Sequence, residues 1–197
     1  MKKMENRDRA GKRVGPRRSA FTALLSLALC ATVGLLAAGA DFQLGYATGT
    51  WTWCDISVTG IDTNAIYWGQ STGYGLSGFE FNGSTGASFN SGQLFVIGTF
   101  IHHNKPITGD VPTAMDLEVT LHFTNPAVSP DPVFEYSMTF TESPNTRYLW
   151  DCPSWQVSST PCDDRVVFPA STGNETFRVG DSLYEREIHG FVLTPTG

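Results

Sequence analysis

The segment Gly98–Ile107, "GTFIHHNKPI", sets two adjacent histidines, an asparagine and a lysine at the end of an apolar run. Imidazoles are the commonest metal ligands and proton-transfer groups near neutral pH, so His102 and His103 are the first residues to test for chemistry. Their spacing argues against it. In an extended strand neighbouring side chains leave on opposite faces, so His102 follows Phe100 to one side and His103 follows Ile101 to the other. A zinc site needs convergent ligands at short spacings, and neither these two nor His122 and His189 offer such a pair. The expectation is that His102 lies hydrogen-bonded at the edge of the core, with Asn104 tying down the loop before Pro106. No catalytic residue and no metal ligand is assigned.

Other constellations are weaker still. No Gly-rich loop joins a strand to a helix, no serine sits in a nucleophile elbow, and Cys54 has no neighbouring base. Asp163 and Asp164 would build a calcium site only if the fold gathered them with Glu142, Asn145 and Asp151, so calcium is the one cofactor left open. Trp51, Trp53, Tyr67, Trp68 and Tyr74 form a candidate sugar-stacking platform, although aromatic residues in strands more often fill a core. Cys152 and Cys162 flank the short loop "DCPSWQVSSTPC" and are expected to pair. Closing that loop removes on the order of 3 kcal/mol of unfolded-chain entropy. Cys54, inside "TWTWCDISV", is expected to be buried as a small apolar group.

The elements that must position these residues are strands. Helix-period apolar patterning is nearly absent, and short alternating runs are separated by Gly, Pro, Asn and Asp. Candidate strands are Gly49–Val58, Gly78–Asn82, Gln93–His103, Asp116–Asn125, Val133–Thr141, Arg165–Phe168, Thr176–Val179 and Leu183–Leu193, with connections at "NGSTGAS", "NPAVSPDP" and Gly180-Asp181. In Asp116–Asn125 and Val133–Thr141 the apolar residues alternate with polar ones, predicting an antiparallel hairpin with one dry face and one wet face. Gln93–His103 is apolar on both faces, predicting a central strand covered on both sides. Eight or so short strands at this spacing predict an all-β fold, an antiparallel two-sheet β-sandwich of jelly-roll-like or Ig-like type.

A different kind of segment precedes them. Residues 2–18 hold eight basic side chains against two acidic ones, and the uncharged run "SAFTALLSLALCATVGLLAAGA" follows. A basic start, an apolar middle and the small residues Ala38-Gly39-Ala40 predict a signal peptide over residues 1–40, cleaved after Ala40. Residues 41–197 then form a single domain. If the leader were retained, it would be the one membrane span, since the run is about as long as a bilayer requires. Removing it leaves 5 basic and 17 acidic residues, a net charge of −12. Such a surface repels phosphate backbones, so nucleic acid is excluded as a partner; a surface polysaccharide or another exported protein is easier to accommodate.

Several motifs in this order resemble the choice-of-anchor K domain, the THxN family of exported bacterial proteins: "GTWT" at Gly49–Thr52, Trp68-Gly69, "SGFEFNGS" at Ser77–Ser84, "GTFIHHNKPI", "TFTESPN" at Thr139–Asn145, "PCDDRVVF" at Pro161–Phe168, and Gly190-Phe191. The resemblance spans about Gly49 to Phe191 and marks His102, Asn104 and Pro106 as motif residues. The family's threonine is replaced here by Ile101. The resemblance implies a secreted or cell-surface domain joined to variable C-terminal anchors, and brings no established activity, substrate or catalytic residue. The expected function is therefore a non-catalytic exported β-sandwich with a structural or interaction role. The alternatives are a carbohydrate-binding module and a metal-dependent hydrolase.

Overall fold

A computed structural model of the chain describes residues 27–34, 41–143, 149–155, 162–168 and 175–193, with the backbone alone at 27–34, 41, 149, 175 and 187–193. Most of residues 1–40, including the expected cleavage site at 38–40, lies outside the described residues, as do Asn145 and the side chain of His189. The larger sheet has the order β12-β13-β1-β7-β5-β3. Its strands are β1 (Leu27–Gly34), β3 (Ala65–Trp68), β5 (Ser77–Gly83), β7 (Leu94–His103), β12 (Glu175–Val179) and β13 (Ser182–Leu193). The smaller sheet has the order β11-β10-β9-β2-β6. It comprises β2 (Asp41–Cys54), β6 (Thr85–Asn90), β9 (Ala114–Asn125), β10 (Val133–Thr141) and β11 (Arg165–Val167). A short pair, β4 (Gln70–Ser71) with β8 (Ile107–Thr108), stands apart. Among the described residues every strand pairing is antiparallel. The fold is all-β, and among the described residues no helix is long and apolar enough to cross a membrane.

Side chains from both sheets meet in one aromatic core. Trp51 of β2 packs against Phe79 of β5 at 5.9 Å and Phe100 of β7 at 6.1 Å. Phe140 of β10 meets Phe79 edge-on at 5.2 Å, and Phe42 of β2 meets Tyr184 of β13 at 5.0 Å. Offset and edge-on rings at such separations add to what burial alone contributes. The β9–β10 hairpin has the faces its alternation predicts. Leu117, Val119, Leu121 and Phe123 are buried, as are Phe134, Tyr136, Met138 and Phe140, and Val119 lies opposite Phe134.

Strand β7 is central, paired to β5 and β1, but it is not covered on both sides. Leu94 and Val96 are exposed, whereas Phe95 and Ile97, and then Gly98, Phe100 and His102, face the core. The ladder with β1 slips at this point, with Leu29 opposite Gly98 and Cys30 opposite Val96. One extra residue exchanges the two faces of a strand, so an apolar pattern on both sides here records a bulge. Gly98 is required by a close approach: a Cβ added there would run into the Phe81 ring.

Three other boundaries differ from expectation. The "NGSTGAS" segment is almost all strand, the end of β5 and the start of β6, with only Ser84 between them. Pairing of β6 with the start of β2 overrides the turn-forming composition. Strand β2 begins at Asp41, well before Gly49. Strand β1 lies inside the segment read as a leader, bonded to β13 on one side and to β7 on the other.

Candidate functional site

His102 stands on the inward face of β7 opposite Phe79 of β5. Its ring lies 4.8 Å from Phe79 and 5.5 Å from Phe140. Burial, with a smaller contribution from the charge of His103, lowers its pKa to about 4, so the imidazole is neutral at neutral pH. Its Nε2 is 3.7 Å from Oδ2 of Asp164, too long for a hydrogen bond, and has no hydrogen-bond partner among the described residues. The expectation of a hydrogen-bonded His102 is corrected to this extent. The ring packs beside a carboxylate without bonding to it.

Asp164 is the hub. It sits just before β11, and burial raises its pKa against the opposing effect of its hydrogen bonds. Its Oδ2 accepts from Asn104 Nδ2 at 2.7 Å, and its Oδ1 accepts from the Ser143 backbone N–H at 2.8 Å and the Ser143 hydroxyl at 3.0 Å. The next two residues after Asn104 are tied down as well. Ser77 Oγ donates to the Lys105 carbonyl at 2.9 Å and accepts from the Lys105 N–H at 3.1 Å. The Pro106 carbonyl accepts from Thr72 at 2.7 Å. The loop that ends β7 is thus fastened residue by residue.

Sequence reasoning anticipated that Asn104 would hold this loop but did not find its partner. Asp164 is 60 positions away, and no spacing rule reaches that far. What could have pointed to it was the set of motifs: Ser77, His102, Asn104, Ser143 and Asp164 come from four of the segments that carry the family resemblance, and the fold brings them together.

His103 faces the other side, as alternation requires. Its Nε2 is 3.0 Å from Glu80 Oε2, and Asn82 donates to Oε1 of the same carboxylate at 2.7 Å. The Asn82 bond and then the His103 bond hold the Glu80 pKa down. The two imidazoles therefore lie beside two separate carboxylates, and only His103 is bonded to its neighbour. Among the described residues no three His, Cys, Asp or Glu side chains form a group that could hold a metal ion. Of the carboxylates considered for calcium, Asp164 is engaged with Asn104 and Ser143.

The five rings of the sequence-derived platform do not share a surface. Trp51 (0% exposed) and Trp68 (2%) belong to the core, and only the other three have surface to offer. Tyr67 is half-buried beside His103 at 5.8 Å. Tyr74 is exposed on the segment after β4, and Trp53 is exposed on the other sheet. Cys152 and Cys162 are joined by a disulfide. Cys54 is half-buried and unpaired, with its thiol pKa raised chiefly by burial. No family model, curated protein or solved structure matches the chain.

Proposed function

We propose that the chain is a non-catalytic, exported or cell-surface β-sandwich domain of the choice-of-anchor K type, acting as a structural or interaction module. One observation carries this reading: the residues best suited to chemistry are enclosed inside the protein. His102 is neutral and buried among phenylalanines, while Asp164 is held by hydrogen bonds from Asn104 and Ser143. A general base must reach a proton on a substrate, and this imidazole is enclosed by the core. The motif His-x-Asn then acts as a clasp that closes the end of β7 over the start of β11.

The reading is tested by assaying purified protein on ester, peptide and glycoside model substrates, with and without added zinc or calcium. No turnover is expected. Turnover that His102→Gln abolishes would overturn the reading. Export is tested separately by N-terminal sequencing of protein recovered outside an expressing bacterium. The expected first residue is Asp41, and an intact chain retained inside the cell would count against it.

A further inference from the structure

Strand β2 runs the length of the smaller sheet, and its ladder with β9 slips at Gln43/Leu44, Leu44/Tyr46 and Trp51/Trp53. Without the last two slips Tyr46 would share the inward face of Phe42 and Leu44, and Trp53 that of Trp51. Instead Tyr46 is 47% exposed and Trp53 48% exposed. A bulge breaks ladder bonds and re-aims a side chain. Here it does so twice, each time turning a large aromatic ring from the core into water, against the direction in which apolar burial drives it.

The surface between the rings is polar and acidic. Across the ladder Trp53 faces Asp116, Thr50 faces Glu118, Thr48 faces Thr120 and Tyr46 faces His122. The Tyr46 ring is stacked on His122 at 4.0 Å, and His122 Nδ1 is held by Asp131 at 2.7 Å. At the other end Trp53 walls a shallow groove of about 370 Å³ that also takes in Asp116, Ser137 and Thr139. Strands β2, β9 and β10 contain no Lys or Arg. At the sheet's edge the Arg165 guanidinium lies over the Trp155 ring.

We propose that this outer face of β2, β9 and β10 binds an extended, uncharged polysaccharide chain lying along β2 from Tyr46 to Trp53. Sugar rings offer C–H faces to aromatic rings and hydroxyl donors to carboxylates, which is the combination this face presents. Seven residues of strand separate the two rings by about 20 Å, room for several sugar units. The carboxylates Asp116, Glu118 and Glu135 disfavour a polyanion. This deepens the interaction role proposed above by naming a ligand class. Its test is made on purified protein, so failure of export and failure of glycan binding are separate outcomes.

The test is affinity electrophoresis in gels containing hydroxyethyl cellulose, glucomannan, xylan or, as the anionic control, polygalacturonate. Retardation by at least one neutral polysaccharide and none by polygalacturonate is expected. Trp53→Ala weakens it about tenfold or more, as truncating a Trp anchor does, and Tyr46→Ala weakens it less. Thr48→Arg, between the rings, blocks it without touching either one. Trp150→Ala, at a ring 78% exposed outside this face, leaves binding unchanged. Absence of retardation by every neutral polysaccharide overturns the proposal. So does binding that survives both Trp53→Ala and Thr48→Arg, or a self-association of the parent that the two variants abolish, because the rings would then cover a second copy of the chain.

Discussion

Asn104 donates its side-chain N–H to the Asp164 carboxylate at 2.7 Å, joining the end of a central strand of one sheet to the edge strand of the other. Asp164 also receives both donors of Ser143, so one buried carboxylate holds three chain segments.

Replacing Asp164 with Ala therefore orphans three donors at once. A loss of about 2–4 kcal/mol in urea unfolding is expected, and about 1–2 kcal/mol for Asn104→Ala. The double variant should lose less than the sum, because both changes remove the same bond. Additive losses would show that the bond contributes nothing.

Acid should weaken the fold through His102. The unfolded chain takes up this proton near pH 6.5 and the folded chain only near 4. Protons therefore favour unfolding in that window, and stability falls as the pH is lowered through it. At about 1.4 kcal/mol per pH unit the loss reaches ~3 kcal/mol. Asp164, raised by burial, works in the opposite sense, because its folded form binds a proton before the unfolded chain does. Denaturation midpoints measured across the window should decline in the parent and flatten in His102→Gln.

Gly98→Ala places a methyl group against the Phe81 ring and should cost about 1–3 kcal/mol, as overpacking of a core does. Thermal unfolding checks it. A variant as stable as the parent would mean that the bulge in β7 can relax.

Cys152→Ser with Cys162→Ser should lower stability by about 3 kcal/mol on the loop-entropy model. Cys54, half-buried with a raised thiol pKa, should alkylate more slowly than free cysteine at mildly alkaline pH, because the thiolate is the reacting species.

The sequence made the β9–β10 hairpin legible because strict alternation survives wherever a ladder is regular, from Leu117 to Phe123 and from Phe134 to Phe140. The two covered faces expected of β7 and the shared platform expected of Trp51 and Trp53 fail for a single reason. A bulge shifts the period by one residue, and no composition signal marked either site. Trp51 and Trp53 stand two residues apart in one aromatic-rich segment, and the slip between them separates a core ring from an exposed one. The clasp around Asp164 was half legible. Asn104 was recognised as a loop fastener, but its acceptor lies beyond the reach of local pattern. The early strands β1, β3 and β6 went unseen, the first because its composition matches an export leader equally well.

That double match bears on the export proposed above. Leu27–Gly34 supplies a strand shared by β7 and β13, yet the same stretch is the part an export channel would have to grip. On that proposal, a chain that completes its larger sheet would bury this stretch, and one cleaved after Ala40 would have to close the ladder without it. Delivery by the proposed export would accordingly be a race between folding and capture.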